Sequence, residues 1–501
     1  MFVVLLIFVV TLLYVLYKRT FEYWKRRNVP GPEPTFLVGH IGESFLGKKS
    51  LGNCFFEIYK EYKDYPFVGV YKSVTPCLLV RDPEFLKCIY VKNFKSFMNN
   101  EMFVDKKVDP VMGRNPFFSK DQAWKETRAL LTPNFTTGKM KTIFTLLDNV
   151  SQKAVSYVNK QIDSGVNCLE AKNLCTKITL ENVASCAFGL EANCFNDPNC
   201  DFQDIANKFL SPEKWQSLKI FVSMIIPSLM KVLSIRFISK EVAERLRKIV
   251  FDTVDYREKN NVQRPDFLQS MMQLKDSTKD FDPEDMVAHA ASFFGDGYET
   301  SSIVMSFLLY EIAKHPEVQD KLRQEINDTM DGNGGKLTYD VIMEMEYLDA
   351  CLNGKISKNP FVESLSKRCT EKFSYKPANT SEFKDIDVTV DVGTVMVIPV
   401  KGLFLDPKYF DEPDKFIPAR FLKENRKNDR SQGVFRPFGD GPRVCIGQKF
   451  GLLQIKAAVA HIIRAFSVSV NSKTKEPLEF DPWYLMLSPI GGLWLDFHKI
   501  K

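Results

Sequence analysis

FRPFGDGPRVCIGQKF, residues 435–450, passes from an irregular run rich in Gly and Pro into GLLQIKAAVAHIIRAF, which has the period of an amphipathic helix. Cys445 therefore sits where a loop enters a helix, and amide N–H groups together with the positive helix end favour its thiolate form. Arg443, two residues earlier, is placed to meet an anionic group beside the same sulfur. Gly441 and Gly447 let the backbone bend and approach something flat and bulky, and Phe438 is placed to shield the sulfur. A protected thiolate of this kind is an iron ligand.

The rest of the chain narrows what surrounds that thiolate. It has 501 residues, 68 Lys+Arg against 62 Asp+Glu, and a net charge of +6, with 45% hydrophobic residues. Such a balance excludes a disordered, collagen-like or multi-spanning membrane protein, and the charge is too weak to argue for nucleic-acid binding. The 41 Phe suit a thick apolar core or an apolar ligand cavity, with core the safer reading, Phe103 and Phe294 included. Eleven Cys cannot all pair, and neither they nor the 5 His fall at zinc spacing. Reduced, mostly buried thiols are expected, with one serving as a ligand.

Residues 1–17, MFVVLLIFVVTLLYVLY, carry no charged side chain, and KRTFEYWKRR follows. Seventeen helical residues span ~26 Å, enough for a membrane anchor with help from the Phe21/Tyr23/Trp24 belt. Positive charge after the apolar run puts the body in the cytosol, so the sequons at Asn134, Asn149, Asn327 and Asn379 are accidental. Residues 18–34, ending in Pro30-Gly31-Pro32-Glu33-Pro34, form a basic stretch and stiff hinge, and 35–501 reads as one domain. Within it, β-branched runs predict strands in 66–80 and 387–400. Asp282-Pro283-Glu284-Asp285 opens a helix that runs to His315, about 33 residues and ~50 Å long. The apolar stretch 220–233 reads as core or as a segment dipping into the bilayer.

The pattern Phe438, Gly441, Arg443, Cys445, Gly447 resembles the haem-ligand loop of the cytochrome P450 superfamily. Its chance expectation over ~490 windows is on the order of 10⁻⁴ to 10⁻³. Other segments match in order: Trp124-Lys-Glu-Thr-Arg128, Pro133-Asn-Phe135-Thr136, Gly297-Tyr-Glu299-Thr300-Ser301 and Pro418-Ala-Arg420-Phe421. The whole chain is similar to microsomal insect detoxification-type members. The resemblance implies a mainly α fold with a small β region, and haem held by Cys445. It also implies that Trp124, Arg128 and Lys367 lie beside the haem propionates. Thr300 would hold a water or the dioxygen, and Glu299 would relay protons; Gly295 and Gly297 would let the helix ladder open there.

The implied activity is that of a monooxygenase inserting one oxygen atom into apolar organic substrates, at the endoplasmic reticulum membrane with the catalytic domain cytosolic. Electrons would come from an NADPH-dependent flavoprotein reductase, with cytochrome b5 as an optional second donor, docking near Arg436 and Lys449. The chain lacks a dinucleotide fingerprint of its own, since Gly332-Asn-Gly334-Gly335-Lys336 has neither the spacing nor the following Ser/Thr.

The chain departs from the family pattern at Gly354, Ser357 and Asp296, and also at Lys125 and Lys367. Where E-x-x-R is expected, the chain has Gly354-Lys355-Ile356-Ser357. This deprives Arg420 of its partners, at a cost of ~3–5 kcal/mol for an uncompensated buried charge. The alternative reading is therefore a degenerate member that binds haem poorly or without turnover. Asp296 stands where the family has Ala or Gly, and a carboxylate there would recruit water, uncouple turnover or bind a basic substrate.

Overall fold

The structure is a computed structural model that describes residues 2–209, 218, 219, 222, 232–277, 281–378, 382–425, 433–484 and 486–500. The apolar stretch 220–233 lies almost wholly outside the described residues. The fold is mainly helical, as the sequence indicates, and is organised by one helix, Pro283–Lys314. Asp282 caps it by accepting from the Glu284 N–H at 2.9 Å, Pro283 supplies a fixed φ at the first turn, and Pro316 ends it after His315. Most of its side chains are buried, because it runs through the body between Ala171–Val183 and Gln448–Ala465.

The helix after the cysteine, Gln448–Ala465, forms where the sequence period predicts it. It is buried nearly all round, down to Lys456, whose Nζ lies 3.0 Å from Asp349. Some of its polar side chains bond to the long helix beside it. Gln454, for example, donates to Gly297 O at 2.9 Å and to Ser301 Oγ at 2.8 Å.

Among the described residues the β region consists of one five-stranded sheet and two smaller ones. Strands β1 (Phe67–Lys72) and β2 (Thr75–Val80) form a hairpin, as the β-branched run predicts, with Phe67 opposite Val80. In chain order there follow β3 (Asn99–Asn100), β4 (Cys168–Glu170), β5 (Leu365–Arg368), β6 (Phe373–Tyr375), β7 (Val388–Val390) and β8 (Val395–Ile398), then β9 (Phe466–Val470) and β10 (Trp494–Lys499). The large sheet has the order β1-β2-β8-β5-β3, with β2 and β8 parallel. Pairing of β3 with β5 sets Asn100 opposite Lys367, which places the lysine beside Asn100 and within the field of Arg443.

Phe2–Phe21 is a helix of 20 residues. Among the described residues, no helix is long and apolar enough to cross a membrane, and several side chains of this helix are outside that set. The expected interfacial belt is not kept together. Trp24 is 3% exposed, packed on Gly69 with its indole N–H donating to Val70 O at 3.2 Å, while Tyr23 and Arg27 both reach Asp391. The basic stretch is thus pinned to the sheet. The buried indole keeps a hydrogen-bond partner for its N–H, as a buried Trp requires.

The Phe excess is mainly core. Phe294 is fully buried among Phe202, Phe209 and Tyr298, whereas Phe103 is exposed beneath Lys120, 4.4 Å from its ring.

Candidate active site

Of the eleven cysteines, all of them free, Cys445 alone is exposed. Its exposure is not to bulk water. Burial is the largest influence on its thiol and pushes the pKa up, against the opposing N–H groups of Gly447 and Gln448 and the charge of Arg128. An accessible atom that is nonetheless strongly desolvated opens into an enclosed space. The expectation that helix end and amides alone favour the thiolate is thus corrected: desolvation outweighs them, and a bound cation is what would reverse the balance.

The loop is shaped to hold that sulfur. The Cys445 N–H donates to Phe438 O at 2.9 Å, so Phe438 pins the cysteine through its backbone. Gly441 has φ +66°, and a Cβ on it would lie 2.0 Å from Tyr90 O, so no other residue fits. A Cβ on Gly447 would meet nothing within 4 Å, which leaves open space at the sulfur's side.

Three cations gather at the edge of this space. Arg443 donates to Ser119 O at 2.9 Å and Pro116 O at 3.2 Å, and its guanidinium lies 4.2 Å from the Trp124 ring centroid. Its Nε is buried without a hydrogen-bond partner. Burial pulls its pKa down to about 10, with Arg128 adding repulsion. Lys367 donates to Asn100 Oδ1 at 2.8 Å, and burial first, then Arg443, pulls it down to about 7. Arg128 is likewise lowered by burial. Among the described residues none of the three forms an ion pair. Arg368, the neighbour of Lys367, turns away to donate to Gly393 O at 3.0 Å.

The helix Pro283–Lys314 supplies the opposite wall. Asp296 and Thr300 stand four residues apart and so share a face; Asp296 is exposed, yet burial pushes its carboxyl up to about 6, the same signature as Cys445. The two groups sense each other electrostatically across the space. Thr300 Oγ1 donates to Asp296 O at 2.8 Å. Glu299 is turned elsewhere, bonded to Lys172 at 2.9 Å and to Tyr484 Oη at 2.8 Å, where it lines a separate cavity of about 240 Å³. The sequence pattern sets the two residues side by side, but the helix projects them into different spaces.

No opened ladder accompanies them. The helix is continuous through Gly295 and Gly297, and Gly295 is required instead by Phe209, whose ring would lie 2.4 Å from an added Cβ.

Sequence reasoning missed Asn99, Asn100 and Asn115. Asn115 accepts from the Phe117 N–H at 2.7 Å and donates to Asp296 Oδ2 at 3.1 Å. The Asn-Pro pair was a turn signal, but nothing local tied it to position 296.

At the missing E-x-x-R, the outcome differs from an uncompensated buried charge. Arg420 is half-buried and donates to the carbonyls of Asp411 and Glu412. In the helix packed against it, Lys355 Nζ and Ser357 Oγ are both 0% exposed and, among the described residues, without hydrogen-bond partners. Arg436 is also spoken for, since it pairs with Asp440 and is 20% exposed; Lys449 is exposed and reaches Thr137 at 2.9 Å.

An enclosed space bounded by one accessible thiol, by a glycine that leaves room beside it and by cations short of anions fits a flat, doubly carboxylated metal macrocycle. These features define a haem-thiolate site. The family model of cytochrome P450 matches residues 29–495. The chain is 34% identical to cytochrome P450 6j1 of Blattella germanica, over 98% of this chain and 96% of that protein. It is also 34% identical to probable cytochrome P450 6d5 of Drosophila melanogaster (98% and 97%) and 32% identical to cytochrome P450 6B2 of Helicoverpa armigera (98% and 97%). The chain belongs to the cytochrome P450 family and is of the insect detoxification type. It is a monooxygenase that binds haem through a thiolate, and the family works with a redox partner reductase on apolar substrates in general.

Proposed function

We propose that the chain inserts one oxygen atom of O2 into xenobiotic or lipid-like apolar molecules, with electrons from an NADPH-dependent flavoprotein reductase and cytochrome b5 as a second donor. The observation that carries this reading is Cys445, the one exposed cysteine, facing an enclosed space edged by Arg128, Lys367 and Arg443. When bound, haem supplies the activation of O2 that oxygen transfer requires.

The chain's own residues have the following parts. Cys445 is the iron ligand, with the N–H groups of Gly447 and Gln448 on its sulfur. Arg443, Lys367 and Arg128 bind the two haem carboxylates, and Trp124 holds Arg443 in place by cation–π contact. Gly441 and the Phe438 carbonyl hold the loop. Thr300 keeps a water at its hydroxyl on the inner face. Glu299 takes up protons in the cavity it shares with Lys172 and Tyr484, and rotation of its carboxylate passes them to that water.

Residues 1–17 anchor the protein in the endoplasmic reticulum membrane, 18–34 lead to the body, and 35–501 form the cytosolic catalytic domain; the 20-residue helix at the start supports this. Protection of the body from protease added outside sealed microsomes would refute the topology.

The reduced, carbon monoxide-bound spectrum tests the site. A thiolate-type Soret band that Cys445→Ser abolishes is the expected result. The second reading, a member that retains haem poorly, is favoured by Ser357 Oγ and Lys355 Nζ standing unpartnered where the family has E-x-x-R. A folded protein without that band would establish it.

A further inference from the structure

We infer that Asp296 is the counter-ion of a substrate cation, so that the enzyme prefers organic molecules with one positive charge on an apolar body. This rests on the monooxygenase reading above and names the substrate class of that site. Asp296 lies on the inner face of the long helix, one turn before Thr300 and across the space from Cys445. One oxygen accepts from Asn115 Nδ2 at 3.1 Å. That amide cannot turn away: Asn115 is 1% exposed, its Oδ1 is held by the Phe117 N–H at 2.7 Å, and its carbonyl accepts from Ser119 Oγ at 3.0 Å. The carboxylate is thus fixed in orientation, with its accessible side facing the enclosed space.

What Asp296 lacks is a cation. Among the described residues it forms no ion pair, and the cations beside its partner Asn115 are committed elsewhere. Arg114 is bound by Asp282 at 2.6 Å and Asp285 at 2.8 Å, and Arg443 is turned to Pro116 O and Ser119 O. The raised carboxyl pKa has burial as its first cause, with no positive charge opposing it. A carboxylate with one hydrogen bond in a desolvated space is costly unless a partner arrives with the ligand. Arg128, Lys367 and Arg443 act on the opposite charge and leave the Asp296 side as the acidic pole of the space. A substrate ammonium on Asp296 would set the carbons next to its nitrogen beside Thr300, where the reaction takes place.

The test uses the full-length holoenzyme and a pair of probes that differ in charge alone, phenylpropyl-trimethylammonium and its tert-butyl carbon isostere. A quaternary nitrogen neither ligates iron nor loses its charge. Calorimetric binding is expected to favour the ammonium over the isostere by at least tenfold. Asp296→Asn should abolish that preference while the isostere binds within threefold of wild type. Asp296→Ala gives the same reading if the Asn variant does not fold, and the wild-type ratio is informative by itself. Equal binding of the two probes to wild type, or a preference that survives loss of the carboxylate, overturns the inference and leaves the apolar-substrate reading standing. Binding of neither probe overturns both.

Discussion

Replacing Lys355 by Met should stabilise the protein, and the size of the gain follows from the lysine's surroundings. Lys355 stands in the helix Glu346–Lys358, its Nζ 5.0 Å from the Phe307 ring centroid, 0% exposed and without a hydrogen-bond partner. The nearest carboxylate, Glu311, is bound by Lys358 at 2.8 Å and is within reach of Asn359 at 3.3 Å. Burial therefore wins over the attraction of Glu311 and pulls the Lys355 pKa from 10.5 down to about 7. At ~1.4 kcal/mol per pH unit this costs the fold ~5 kcal/mol below pH 7 and ~4 kcal/mol at pH 7.4.

The sign is fixed by proton counting. Between pH 7 and 10.5 the unfolded chain holds this proton and the folded chain does not, so the cost is full below pH 7 and fades as pH rises to 10.5. Met keeps the length and helix propensity of Lys without the charge. Denaturant unfolding of Lys355→Met and wild type, followed by tryptophan fluorescence from pH 6.5 to 10, should show the variant ahead by about 3–5 kcal/mol at the low end and the gap narrowing with pH. A variant no more stable than wild type, or a gap independent of pH, would refute the argument.

Other perturbations address the site and its support. Gly354→Ala adds a Cβ that meets Phe416 at 3.4 Å and Pro418 at 3.5 Å, ordinary contact, and should gain ~1 kcal/mol of helix stability in the same unfolding assay. Gly354→Glu with Ser357→Arg should slow haem transfer to a scavenging apoprotein; an intact variant that loses haem as fast as wild type would show that this helix does not govern retention. Arg443→Lys keeps the charge but loses the two-carbonyl grip on Pro116 and Ser119, so haem occupancy after gel filtration should fall. Glu299→Gln should lower turnover by about a hundredfold and raise the solvent isotope effect, with haem content unchanged. Lys449→Glu should slow reduction by the reductase at low salt and lose that effect at high salt; equal rates at low salt would exclude docking at this surface.

The parts of the site that were legible in the sequence are those whose geometry is local. Cys445 with its glycines lies within a dozen residues, and the long helix carries its own start and stop at Asp282, Pro283 and Pro316. The Trp124 and Arg128 segment could be placed only by resemblance, because nothing in a four-residue spacing says that Arg443 will lie over the Trp ring. Glu299 beside Thr300 was legible as a pair, but the different directions the two side chains take were not. A helix turns ~100° per residue, so neighbours in sequence serve different cavities.

By itself the sequence determined the class of protein and singled out Cys445 and the Gly354-Lys355-Ile356-Ser357 stretch, because each depends on which residues are present at short separations. Only the tertiary structure decided the rest. It buried Trp24 in the sheet, gave Arg420 two carbonyls, left Lys355 bare and set an unpaired Asp296 across from Cys445. These outcomes turn on desolvation and on partners distant in the chain. The same carboxylate or amine is ordinary in water and costly in an enclosed space, and the chain's packing settles which of the two it meets.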